Sequence, residues 1–238
     1  MGYIIGYCVA GFVIIFAIII AIVAQHKVNS AYGAYRDIPS SLGLTGAQLA
    51  ERLSQENNLN LTVKMCKGTL TDHYNPKDKS INISEGNFSS NSIAAQSIVA
   101  HEFGHALQHA QGYGLYKVRQ AIVKISNFVS GMLLPLLIVG ILLEIFLLAG
   151  AGSIVIYVTV AMYGLAVIAN LATLPVEVNA SSRAKKILYK MGCTSEDEVY
   201  ATDKMLNAAA LTYVASLLVS LAYFLRFLFF LLAVTRND

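Results

Sequence analysis

His101, Glu102 and His105 stand in the order H-E-x-x-H (His101-Glu102-Phe103-Gly104-His105). On an α-helix, positions i and i+4 differ by about 40° in direction and about 6 Å in rise, so two imidazoles at that spacing can converge on one metal ion. Glu102 falls on the adjacent face, within reach of a water at the metal but unable to replace a histidine. Zinc lowers the pKa of a bound water to about 7, and a neighbouring carboxylate can take the proton as that water attacks a carbonyl. Composition alone produces such a motif in roughly 0.4% of chains with this many His and Glu, so chance is a poor explanation. The alternative is a buried helix with two structural histidines.

A catalytic zinc of this kind needs a third protein ligand. His109 is an unsuitable donor, because it lies about 12 Å along the helix from His101 and no turn brings the chain back between them. Glu177 is the better candidate. It follows Pro175, a residue favoured at the start of a helix, and it is the first acidic residue after a long apolar run. The alternative for Glu177 is a carboxylate stabilised at a helix N-terminus. The expected set is therefore His101, His105 and Glu177 on one Zn2+, with Glu102 as general base.

The elements that must position these residues can be read from the same chain. The helix carrying the motif is expected over residues 92–111, opened by the Ser89-Ser90-Asn91-Ser92 cluster and stopped by Gly112. Thr45 and Gln48 form a T-x-x-Q capping box ahead of a short amphipathic helix reaching about Asn57. Residues 61–70 and 80–83 have strand character, and Asn75-Pro76-Lys77-Asp78-Lys79 between them resembles a turn, which predicts a β-hairpin over 61–83.

Most of the remaining sequence is apolar. Of 238 residues, 56% are hydrophobic and 13% charged, against about 25% charged in a soluble domain. A net charge of +3 gives no phosphate-binding surface, so nucleic acid is excluded as a partner. Four runs are long enough to cross a bilayer, at residues 3–24, 129–148, 154–174 and 208–234. The first has no basic leader and is expected to be an uncleaved anchor. Residues 149–153 (AGAGS) are expected to turn the chain between the second and third runs.

The polar segments 25–126 and 175–207 hold ten and five of the 17 Lys and Arg residues, so both are expected on the cytoplasmic face. Glu144 and Arg226 fall at similar depth, about 22–26 Å from that face, and are candidates for a pair inside the membrane. Independent snorkelling of each is the alternative. Cys8, Cys66 and Cys193 include no C-x-x-C pair and suit reduced thiols. The expected fold is a mainly α integral membrane protein with about four transmembrane helices, a cytoplasmic zincin-like H-E-x-x-H helix and a small β-hairpin or sheet.

Together these segments resemble the YugP-type neutral zinc metallopeptidases of bacterial membranes. The matching stretches are 68–76 (GTLTDHYNP), 84–86 (SEG), 93–95 (IAA), 100–113 (AHEFGHALQHAQGY) and 174–184 (LPVEVNASSRA), in order along nearly the whole chain. More distantly the chain is similar to the HtpX-like membrane endopeptidases, whose ligand Glu opens an E-x-x-A-D motif. Here that stretch is Glu177-Val178-Asn179-Ala180-Ser181, so Ser181 stands where that group has Asp, and Asn179 is another candidate for the supporting contact.

The resemblance implies a zinc-dependent membrane protease acting on membrane or membrane-proximal polypeptides, alone or assembled with other membrane proteins. By the same analogy an edge strand near the active helix, around residues 79–84, would take substrate by strand addition. Asp72, His73 and Tyr74 would orient a ligand histidine, donate to an oxyanion, or simply hold the hairpin. Two competing functions are an intramembrane protease, which the polar Gln96, Ser97, Gln108 and Gln111 of the motif helix disfavour, and a non-catalytic zinc-binding membrane scaffold or adaptor.

Overall fold

The structure, a computed structural model, describes residues 2–123 and 151–235 and the single positions 135, 138 and 142. It is mainly helical. Its helices include α1 (Gly2–Tyr35), α2 (Gly46–Glu56), α3 (Glu85–Phe88), α4 (Ile93–Ala110), α5 (Ala151–Met191) and α6 (Glu196–Thr235), and residues 114–123 are helical as well. The strands are β1 (Thr62–Cys66), β2 (His73–Asn75) and β3 (Ser80–Ser84). The chain divides into two compact units. One comprises Met1–Val23, Val118–Leu174 and Thr212–Asp238, the other Ala24–Lys117 and Pro175–Leu211.

The described residues of the first unit are helical. Among the described residues three helices are long and apolar enough to cross a membrane: Ile5–Tyr35, Tyr157–Met191 and Glu196–Leu232. Phe12, Phe16 and Ile154 are 74%, 65% and 66% exposed, more bare apolar surface than water tolerates and what a lipid-facing helix presents. Ile14, Ala17 and Ala222 pack together inside this unit. Tyr163 stacks on Tyr223 and Phe227, with both ring centroids 5.3 Å away.

The expected span at 129–148 lies outside the described residues apart from isolated positions, and so does Glu144. Arg226 is described: its Nη2 donates to the Tyr7 hydroxyl at 3.0 Å, and its guanidinium lies 4.6 Å from the centre of that ring. Of the turn expected at 149–153, Ala151 onward is already helix.

The second unit carries the polar segments. Its core surrounds α4, where Val99, Ala100 and Phe103 are fully buried against Leu49 and Leu53 of α2, Ile81 and Ile83 of β3, and Val176 and Ala184 of α5. Burying each of the larger side chains contributes about 1.5–3 kcal/mol. α4 has clear local limits. Ser92 caps it by accepting from Ala95 N, and Gly112 ends it with a positive φ of 65°. α2 opens with the expected reciprocal capping box of Thr45 and Gln48.

The sheet differs from a simple hairpin over 61–83. Its order is β1-β3-β2. The turn at 75–79 joins β2 antiparallel to β3, as its Asn-Pro start favours, but β1 pairs with β3 in parallel. β3 is therefore the central strand, with Ser80, Ile81, Ile83 and Ser84 all buried. Both of its edges are occupied, so residues 79–84 cannot add a substrate strand; the edges are β1 and β2.

Pro175 also behaves otherwise than expected. It lies inside α5 rather than at a helix start. A proline forfeits one backbone hydrogen bond, yet the helix continues through it from Ala151 to Met191. The helical segment expected at 175–207 falls in the second unit, which takes in Pro175–Leu211; it consists of the end of α5 and the start of α6, and the chain leaves the helix at 192–195, where Gly192 takes a φ of 110°.

α4 and α5 approach closely at Gly104. A Cβ placed there would meet Ala180 O at 2.7 Å and Ala180 Cα at 3.2 Å. Both contacts are backbone, which cannot swing aside. Gly104→Ala is expected to cost about 1–3 kcal/mol through overpacking. A lower thermal midpoint accompanied by lower metal content is the result to look for; an unchanged midpoint would show that the helices can separate freely.

Candidate metal centre

The close approach of α4 and α5 sets three donor groups side by side. Glu177, on α5, is 1% exposed. Its Oε2 lies 3.2 Å from His101 Nε2 and 3.4 Å from His105 Nε2. The two imidazole centroids are 4.8 Å apart with the rings nearly perpendicular at 87°. One ligand atom from each of the three residues falls within 4.8 Å of the others. Two imidazole nitrogens and a carboxylate oxygen brought this close together form a donor set suited to zinc. His109 is outside this group, as its distance along the helix requires.

The outward nitrogens of both histidines are engaged. His101 Nδ1 is 3.2 Å from Ser181 Oγ. His105 Nδ1 is 3.0 Å from Gln108 Oε1, and Gln108 Nε2 in turn donates to Val176 O at 2.8 Å and Asn179 Oδ1 at 2.9 Å. Ser181 and Asn179 thus serve different histidines, one directly and one through Gln108. Such contacts orient a ligand ring and fix its tautomer. Gln108 had no assigned role in the sequence, although its place three residues after His105 on a helix already puts the two side chains together.

Glu102 faces β2. Its Oε2 accepts the backbone N–H of Tyr74 at 2.8 Å, a contact that no residue-type motif could reveal. Burial pushes the Glu102 carboxyl up to about 7, against the pull of His101. A group in that range can both take and return a proton near neutrality. The Tyr74 hydroxyl is pushed up to about 12, chiefly by burial, and lies 2.8 Å from His109 Nδ1. His109 thereby supports the strand that holds Glu102.

The rest of the 72–74 segment divides by role. Asp72 accepts from Ser84 N, Ser84 Oγ and Asn87 Nδ2 at 2.8–3.0 Å, tying the strand ends to α3. His73 is exposed, with Nδ1 2.9 Å from Thr71 O. Neither is in the donor group. Cys193 is buried, which raises its thiol, and like Cys8 and Cys66 it is free.

A helix-borne pair of histidines with an intervening glutamate, joined by a buried carboxylate from a second helix, is the arrangement of the zinc metallopeptidases. The chain belongs to the family described as "Putative neutral zinc metallopeptidase", whose model matches residues 10–232. It is also 43% identical over 205 residues to the "Putative membrane protease YugP" of Bacillus subtilis (strain 168), an alignment covering 86% of this chain and 88% of that one. No solved structure matches the chain significantly. The family implies zinc as the metal and peptide hydrolysis as the activity, and the long apolar helices fit association with a membrane.

Proposed function

We propose that this zinc metallopeptidase is an endopeptidase of the cell membrane that cleaves membrane or membrane-proximal polypeptides, with His101, His105 and Glu177 holding a single Zn2+ and Glu102 as general base. The observation that carries this reading is the convergence of both Nε2 atoms on the Glu177 carboxylate, with the Glu102 carboxylate on the adjacent face of the same helix. Bound zinc supplies a Lewis acid that polarises a carbonyl and acidifies water. Glu102 takes the proton from the attacking water at its carboxylate and passes it to the leaving amine. The Tyr74 N–H holds that carboxylate in place through the transfer. β2, as an edge strand beside Glu102, is the natural place for a substrate backbone to lie.

The chain is proposed to cross the membrane several times, with the span at 129–148 as the fourth, and to keep its active site on the cytoplasmic face. The clustering of basic residues in 25–126 and 175–207 supports that orientation. Lipid and polypeptide substrates are its expected partners, and assembly with other membrane proteins is compatible with the exposed apolar helices.

The test is metal removal. Stripping the purified protein with a chelator is expected to abolish cleavage of an unfolded polypeptide such as casein, and one equivalent of zinc is expected to restore it. Activity that persists in verified metal-free protein would overturn the proposal.

A further inference from the structure

Gln108 is completely buried, and its hydrogen bonds leave it one orientation. Val176 O is a backbone carbonyl and can only accept, so the group facing it must be the Gln108 amide nitrogen. Asn179 Oδ1 gives the same answer independently. Arg183 Nε donates to that oxygen at 2.8 Å, and a guanidinium has no acceptor, so Asn179 must present its oxygen to Arg183 and thus also to Gln108 Nε2. With both amide hydrogens committed, Gln108 can offer His105 only Oε1. His105 Nδ1, 3.0 Å away, must therefore carry a hydrogen, so that Nε2, the atom turned toward Glu177, is the nitrogen left to bind a metal.

We infer that Gln108 is a positioning residue for the metal: a relay of fixed polarity from Arg183 through Asn179 and Gln108 sets His105 in its ligating tautomer before zinc arrives. The same amide joins α4 to the α5 backbone one residue from Glu177, so it also sets the spacing between ligands on two different helices. The inference rests on the ligand set proposed above. It gives functions to Asn179 and Arg183, which lie outside the donor group. Loss of a contact that supports a metal-bound histidine typically costs about 10–100-fold in metal affinity.

The experiment uses the full chain in detergent, stripped of metal and titrated with zinc against a chromophoric chelator. Gln108→Met keeps the side-chain length but removes the acceptor and both donors. It is expected to lower zinc affinity about 10–100-fold. Asn179→Ala, which removes only the distal contact, is expected to lower it several-fold. In parallel, 15N-histidine labelling of the metal-free protein is expected to show His105 with its proton on Nδ1 in the wild type and to lose that preference in Gln108→Met. A purely packing role for Gln108 would not move that signal.

Wild-type zinc affinity and an unchanged His105 tautomer in Gln108→Met would overturn the inference. If that variant does not fold, Asn179→Ala decides: a several-fold loss supports the relay, and unchanged affinity overturns it. His105→Ala separates this inference from the reading beneath it. Zinc binding that survives His105→Ala removes the ligand set itself, whereas zinc binding lost there but intact in Gln108→Met removes only the relay.

Discussion

Glu102→Gln is expected to reduce peptide hydrolysis by about 10²–10⁴-fold, the contribution of a positioned general base, while zinc content stays at the wild-type level. The amide has the size of the carboxylate, and its oxygen can still accept the Tyr74 N–H, so the bond that secures β2 to α4 survives. The outward nitrogens of His101 and His105 rest on Ser181 and Gln108, and neither ring depends on Glu102 for its orientation. The substitution therefore removes the proton acceptor and little else. Metal analysis and steady-state cleavage of an unfolded substrate, measured on one preparation, check both halves. Equal rates in the two proteins would eliminate Glu102 as the base. A loss of zinc together with activity would show that the side chain maintains the site rather than performing the chemistry.

Glu177→Ala is expected to act on the opposite half of that pair, emptying the site of metal. With Oε2 within 3.4 Å of both histidine Nε2 atoms and the residue 1% exposed, Glu177 would be the carboxylate donor of the proposed ligand set. Two histidines alone leave zinc short of the three protein ligands a catalytic site requires. Affinity is expected to fall by more than the about 10–100-fold that loss of a supporting contact costs. The fold should survive in the absence of metal, because a buried carboxylate is costly to desolvate and removing it relieves that cost. Chelator competition measures the affinity and circular dichroism the fold. Wild-type zinc affinity in a folded Glu177→Ala protein would remove Glu177 from the ligand set.

These two expectations had different origins. Glu102 was legible from spacing, since its relation to His101 and His105 depends only on helical geometry. The limits of the helix were legible too: Ser92 caps it and Gly112 ends it for reasons confined to a few residues. Glu177 lies 76 residues beyond His101, and no helix opens at Pro175, which is inside α5. Its place in the group comes instead from Gly104, whose missing side chain lets the α5 backbone approach α4 at Ala180.

The sheet shows the same limit. The turn at 75–79 announced β2 and β3, but nothing in the alternation of residues 61–70 distinguishes a parallel from an antiparallel partner. β3 became the central strand through pairing on both edges, which moved the expected substrate edge from residues 79–84 to β2.

What the sequence by itself determined was chemistry of short range: a helical H-E-x-x-H, its caps, and enough uninterrupted apolar residues for membrane helices. Backbone periodicity enforces each of these within a few turns. What only the tertiary structure decided was which distant groups complete that chemistry: Glu177 against the two histidines, Ser181 on one and Gln108 on the other, and the Tyr74 N–H on Glu102. The physical reason is that such contacts depend on how closely two backbones pack, and the fit between their surfaces, here a glycine facing an alanine carbonyl, leaves no mark on the periodicity of either segment.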